Sequence, residues 1–289
     1  ELVTMLAFSG RLDFNPYSDT LPTPDGGQFS FKIPEGCPAI PPSGWDIDDS
    51  IFQAPKADGS GVQINVNPES KRLELLEPFK EWDGKDYTDC PVLIKALGKC
   101  TTDHISMAGP WLKYRGHLEN ISGNLYLGAV SAYDGYEVGF GKNQITGETQ
   151  AFPDIAKAYH EADQPWVVIG DENMGEGSSR EHAAMEPRFR MGLVAIARSF
   201  ARIHETNLKK QGMVPLTFSD PADYDKIDED DRISVLGLPP VPDETVTCRI
   251  TKPDGSTVDF ECNHTFSPEQ VDWFQAGSAL NIIRQKSAG

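Results

Sequence analysis

Two serines and an arginine stand together in the run Gly175-Glu176-Gly177-Ser178-Ser179-Arg180-Glu181-His182. A serine hydroxyl acts as a base only where fixed donors and positive charge stabilise its oxyanion. Gly175 and Gly177 let backbone approach a ligand closely, and a guanidinium presents a planar fork that suits a carboxylate. The residue types and spacing point to a carboxylate-binding loop. The competing reading is a helix cap, since Ser178 with Glu181 three residues on fits a capping box. Chemistry alone leaves the two readings level. Two other polar groupings stand out: Gly98-Lys99-Cys100-Thr101-Thr102-Asp103-His104-Ile105-Ser106 and Tyr114-Arg115-Gly116-His117-Leu118. Taken singly, Asp103 reads as a turn or cap residue and Arg115 as a surface arginine.

Such a loop needs a sheet to hold it. Trp166-Val167-Val168-Ile169-Gly170 is a short continuous apolar run directly before it, the mark of a buried strand. In α/β sheets ligands bind beyond the C-terminal ends of strands. Further strands are expected at 91–97, 193–197 and 213–216. Helices are expected after the Ser178 cap and over 199–211, where Lys209 and Lys210 suit the last turn and Gly212 provides the stop. Segments 246–251 and 258–262 flank the turn Lys252-Pro253-Asp254-Gly255 as a hairpin. Ser267-Pro268-Glu269-Gln270 opens a final helix. The acidic run Asp228-Glu229-Asp230-Asp231 reads as a solvated loop.

The start of the chain differs. Leu2 to Phe8 reads as a helix closed by Gly10, and residues 17–90 are dense in Pro, Gly, Asp and Ser with weak periodicity. The expected organisation is the end of a preceding domain at 1–16, a long irregular linker at 17–90, and a compact three-layer α/β domain at 91–289.

Composition narrows the function classes. The 289 residues carry a net charge of −18, with 38% hydrophobic and 24% charged residues. That suits a globular protein of one or two domains and disfavours a nucleic-acid partner, which needs a basic face. No stretch approaches the ~20 apolar residues of a membrane helix. The first residues lack the pattern of a secretory leader. They also lack an initiator Met, so a removed presequence or a longer parent protein is expected. The five cysteines, Cys37, Cys90, Cys100, Cys248 and Cys262, are widely spaced without a Cys-x-x-Cys. They read as reduced, mostly buried thiols.

Three long runs resemble the aconitase family. They are Cys100 through Ser106 with Ala108-Gly109-Pro110-Trp111-Leu112 and Arg115-Gly116-His117-Leu118, Gly170 through Ala184, and Ser199 through Gly212. The earlier segments Leu75-Leu76-Glu77-Pro78-Phe79 and Trp82-Asp83-Gly84-Lys85-Asp86 match as well. The resemblance runs from residue 1 to about 284 and is nearest to the mitochondrial-type group. It implies the C-terminal portion of a hydro-lyase that interconverts citrate and isocitrate through cis-aconitate, in the mitochondrial matrix. By position in the motifs, Ser178 is the base, Ser179, Arg180 and Arg115 bind substrate, and Asp103 is an active-site acid that helps position catalytic groups. His182 and His204 are expected to pack or hydrogen-bond structurally.

The resemblance also implies a [4Fe–4S] cluster. The family's three cluster cysteines lie N-terminal to this segment, so no metal ligand is expected in this chain, and the segment alone is expected to be inactive. Its expected partners are a tricarboxylate substrate and the N-terminal aconitase domains, against which a swivelling domain moves. Two departures from the family pattern, Phe189-Arg190-Met191-Gly192 and Met174, keep a homocitrate-dehydrating paralogue open. An isopropylmalate-isomerase small subunit and an RNA-binding relative are further alternatives, as is a degenerate paralogue retained for structure, which intact Ser178, Arg180 and Arg115 disfavour. The connector with Arg115-Gly116-His117 disfavours the first, and the charge disfavours the second.

Overall fold

The computed structural model describes residues 1–33, 36, 40–46 and 48–287. Cys37, expected as a buried thiol, lies outside the described residues. The chain divides into two compact units, Glu1–Gln63 and Ile64–Gly289.

In the first unit, α1 (Leu2–Ser9) ends where Gly10 enters the left-handed region at φ 67° and its N–H returns to Leu6 O. A short ladder of β1 (Leu21–Pro22) and β2 (Gln28–Phe29) turns at Asp25-Gly26-Gly27. Phe31 packs edge-on against Phe14 and Phe29.

The second unit opens with an extended strap ordered by distant partners. Asn120 Nδ2 donates to Lys71 O at 2.9 Å, Asn281 Nδ2 to Phe79 O at 2.8 Å, and Trp82 N–H to Gln275 O at 3.0 Å. There follow β3 (Tyr87–Lys95), α2 (Thr102–Ile105), α3 (Leu118–Ile121), β4 (Phe140–Lys142), β5 (Thr149–Ala151), α4 (Phe152–Glu161), β6 (Trp166–Gly170) and α5 (His182–Phe189). The unit continues through β7 (Gly192–Ala197), α6 (Arg202–Lys210), β8 (Val214–Phe218), β9 (Arg232–Leu236), β10 (Val246–Thr251), β11 (Thr257–Asn263), α7 (Pro268–Gln275) and α8 (Ala279–Ser287).

The unit is α/β with a sheet-dominated core. Among the described residues, seven strands close into a barrel in the order β10-β11-β8-β7-β6-β3-β9. The pairs β3/β6, β6/β7 and β7/β8 are parallel and the other four are antiparallel. The apolar runs 166–170 and 193–197 are buried at every position because both faces of these strands are covered. One face packs into a cluster with Val92, Val194, Leu216, Ile233, Ile250 and Phe260. The other packs with Ile105, Leu125, Phe152, Ile155, Tyr159 and Leu208 from the loops and helices. Trp166 joins this second cluster fully buried, and its indole N–H donates to Arg190 O at 2.6 Å.

Three local expectations are corrected. The helix after the serines begins at His182, with Glu181 as an N-cap that makes no side-chain bond, so Ser178 caps nothing. The 199–211 helix is shorter, Arg202–Lys210, because residues 199–201 run alongside Met174 instead: Met174 N–H donates to Ser199 O and Ala201 N–H to Met174 O, both at 2.9 Å. The acidic run is not wholly solvated. Asp231 is fully buried, and Lys252 Nζ reaches it at 2.8 Å, as a buried carboxylate requires.

Candidate functional site

The parallel strands β3, β6 and β7 lie side by side, with Lys95 opposite Ile169 and Gly170 opposite Ala197. Their C-terminal ends release three segments, 96–106, 171–181 and 198–201, which meet over that end of the barrel. This is where helix-bearing parallel sheets present ligand sites. The segments are stitched together by backbone. Gly175 N–H donates to Cys100 O at 2.7 Å and Thr102 N–H to Glu176 O at 2.9 Å. Asn173 N–H donates to the Ser199 hydroxyl at 2.8 Å. Asp171 ties the same rim, accepting from Gly98 N–H and from Arg198 Nη1, each at 2.9 Å.

Ser178 and Ser179 sit exposed on the bend between Gly177 and Arg180. Neither hydroxyl hydrogen-bonds within the described residues, and the N–H groups of Gly177, Ser178 and Ser179 are likewise unbonded there. Gly177 is at φ 113°, a conformation closed to other residues in practice, and it turns the chain so that successive donors remain free. The positive environment at the bend comes from these loop amides and Arg180.

Arg180 is mostly buried. Its Nη1 meets Asp103 Oδ1 at 2.5 Å and Ser106 O at 2.8 Å. Its Nε and Nη2 have no protein partner among the described residues. The hydrogen bond from Arg180 holds the exposed Asp103 carboxyl below its usual range. Asp103 stays ionised as an anchor for the guanidinium. The structure therefore brings Asp103 and Arg180 together. Arg115 approaches through its backbone: its carbonyl oxygen lies 3.0 Å from His182 Nε2, while its exposed side chain forms no ion pair among the described residues. His104 turns inward to its own helix start, with Nδ1 2.9 Å from Lys99 O and Thr101 as the cap.

Beside the serines lies a cleft of about 230 Å³ lined by Thr102, Gly175, Ser178, Arg180, Arg202 and His204, among others. Sequence reasoning did not single out Thr102, Ser106, Glu186 or Arg202 here. Thr102, Ser106 and Arg202 were marked only by their places inside the three motifs, and Glu186 lies just beyond the second of them. His204 is 2% exposed, and neither ring nitrogen has a partner among the described residues. Burial pushes its imidazole down to about 4. The folded state thus favours the neutral ring, and the unfolded chain takes up the proton near the ordinary 6.5. The stability this contributes is full above pH 6.5 and is lost as pH falls toward 4, by about 3 kcal/mol. The melting temperature is expected to fall through that window, and to fall less in His204→Phe. Equal pH slopes in the two proteins would refute it.

The iron–sulfur cluster implied by the resemblance finds no fitting ligand set among the described residues. Among the described residues no group of three or more His, Cys, Asp or Glu side chains stands placed to hold a metal. Cys90, Cys248 and Cys262 face the barrel interior, and Cys100 is buried in the other cluster.

The aconitase C-terminal domain family matches residues 90–221. The mitochondrial aconitate hydratase of Gracilaria gracilis is 56% identical over 285 residues, covering 98% of this chain and 36% of that protein. The mitochondrial aconitate hydratase of Saccharomyces cerevisiae gives the same identity and coverage. A solved 3-isopropylmalate dehydratase from Methanocaldococcus jannaschii overlaps 71% of this chain and 96% of its own at 18% identity, with a TM-score of 0.45. That overlay is too loose to support an argument. The chain spans 36% of the length of the curated relatives it matches. Identity at this level across nearly the whole segment, together with the family match over 90–221, means that the chain belongs to the aconitase family.

Proposed function

We propose that this chain is the part of a mitochondrial-matrix aconitate hydratase that grips substrate carboxylates and moves the proton between citrate, cis-aconitate and isocitrate. Residues 91–289 act as its three-layer swivelling domain: helices, the parallel strands, and the antiparallel far wall of the barrel. Residues 1–16 are the end of the preceding domain, and 17–90 link the two. The N-terminal domains supply the cysteines for the [4Fe–4S] cluster and the opposite wall of the active cleft, so the segment alone is inactive.

The observation that carries this reading is the uncommitted Ser178 hydroxyl on a bend with free backbone donors, beside an arginine anchored by Asp103. In this role Ser178, ionised to its alkoxide, takes the proton from the carbon next to the one bearing the leaving hydroxyl and ends the step as a neutral hydroxyl. The loop N–H groups and Arg180 stabilise the alkoxide that precedes the transfer. The free Nε and Nη2 of Arg180, with Ser179 and Arg115, hold a carboxylate and set the reacting carbon against Ser178. Met174 and Arg190, the departures from the family pattern, are directed elsewhere. Met174 is buried beneath Gly170 and Arg190 is paired with Glu119 at 2.8 Å, which favours citrate over an altered substrate.

The test is turnover of citrate to cis-aconitate by the full-length, cluster-loaded enzyme, with homocitrate in parallel. Turnover of citrate is the expected result. Turnover of homocitrate alone would overturn the choice of substrate, and inertness on both would overturn the enzymatic reading.

A further inference from the structure

Behind the pair of Arg180 and Asp103 lies a buried carboxyl that the proton chemistry does not use. Glu186, on the second turn of α5, is 0% exposed, and the Ser106 hydroxyl donates to its Oε1 at 2.6 Å. Burial pushes this carboxyl well above the usual range, so its neutral form is favoured. The nearby cation Arg190 is committed to Glu119, at 2.9 and 2.8 Å. Ser106 is itself buried at the end of α2, and its carbonyl is the second acceptor of Arg180 Nη1, at 2.8 Å. Arg180, Ser106 and Glu186 thus form one continuous chain of hydrogen bonds from the exposed bend to the interior.

We infer that Glu186 is a positioning residue for Arg180, acting through Ser106: it fixes the carbonyl that holds Nη1 and leaves Nε and Nη2 available to a ligand carboxylate. This rests on the proposed function only for its kinetic readout. A misplaced clamp weakens carboxylate binding before it alters proton transfer, so the loss falls mainly on KM.

The test uses the full-length, cluster-loaded protein. Glu186→Gln keeps the shape and an acceptor, and its KM for citrate should stay within about threefold of wild type. Glu186→Leu and Ser106→Ala break the chain of bonds, and each should raise KM about tenfold or more with a smaller change in kcat. Neither should add to the loss caused by Arg180→Lys, because all three disable one clamp. Wild-type KM in both breaking variants, or full additivity with Arg180→Lys, would overturn the inference. Should Glu186→Leu fail to fold, Ser106→Ala decides alone, since it removes only a hydroxyl. Crystals of Ser106→Ala give a readout without turnover: the Arg180 guanidinium should shift from Asp103. An inert wild type would therefore overturn the substrate reading and leave this one to be judged by that shift.

Discussion

Ser178→Ala in the full-length, cluster-loaded protein should lower kcat by about 10²–10⁴-fold while leaving the melting temperature unchanged. The two halves of this expectation have separate causes. The hydroxyl is exposed and bonds nothing among the described residues, so its loss removes no folded-state contact. Surface changes of this kind stay within about 0.5 kcal/mol. The catalytic loss follows because nothing else on the bend can hold the proton. Ser179 has the same chemistry at a different position, and Arg180 cannot be deprotonated. Removal of a positioned base costs about 10²–10⁴-fold. The measurement is cis-aconitate formation beside a thermal melt. A variant that kept more than about a tenth of wild-type kcat would remove Ser178 from the role of base.

Gly175→Ala should be the most damaging single methyl in the site. A Cβ there would lie 2.1 Å from His204 Cγ, 2.2 Å from Cδ2 and 2.4 Å from Cβ, and the backbone holds φ +80°. The His204 ring is buried and cannot step aside without moving α6 or Phe200, whose ring lies 6.4 Å away. Overpacking costs about 1–3 kcal/mol, and the left-handed conformation costs a further ~1–2 kcal/mol for a residue with a side chain. For a unit of this size each kcal/mol is about 2–4 °C, so the melt should drop by roughly 5–20 °C. Adding His204→Ala should recover part of that drop, because the clash disappears with the ring. If Gly175→Ala melts with the wild type, the ring is not pressed against the loop. Activity should fall as well, since Gly175 N–H pins the loop to Cys100 O and displacement by about 1 Å costs on the order of 10²-fold.

The parallel half of the fold was legible in the sequence because its strands are continuous apolar runs bounded by Gly, as at Trp166–Gly170. The hairpin was legible through Lys252-Pro253-Asp254-Gly255. Closure of the barrel was not legible. It depends on β9 pairing with both β3 and β10, and the pairing across more than a hundred residues leaves no local pattern. The cap stood level with the loop reading because Ser178 and Glu181 have the spacing of a capping box, and the structure removes it. In place of a capped helix start, the bend presents free loop amides and an arginine held from α2. Asp103 and Arg115 were ordinary polar residues until the family resemblance gave them roles. The pairing of Asp103 with Arg180 spans 77 positions. His204 was expected to pack or hydrogen-bond and Glu186 carried no reading of its own, and the structure buries both.

A sheet that closes on itself presents no row of unpaired backbone groups along its side. Each of the seven strands has a partner on both flanks, and the ladder that recruits foreign strands into aggregates is absent from it among the described residues. Under the proposed function, this unit parts from its neighbours to admit substrate and meets water with new surface at those moments. With its strands sealed in a ring, such a separation would bare no strand edge of the barrel, and the unit should part and return without becoming adhesive.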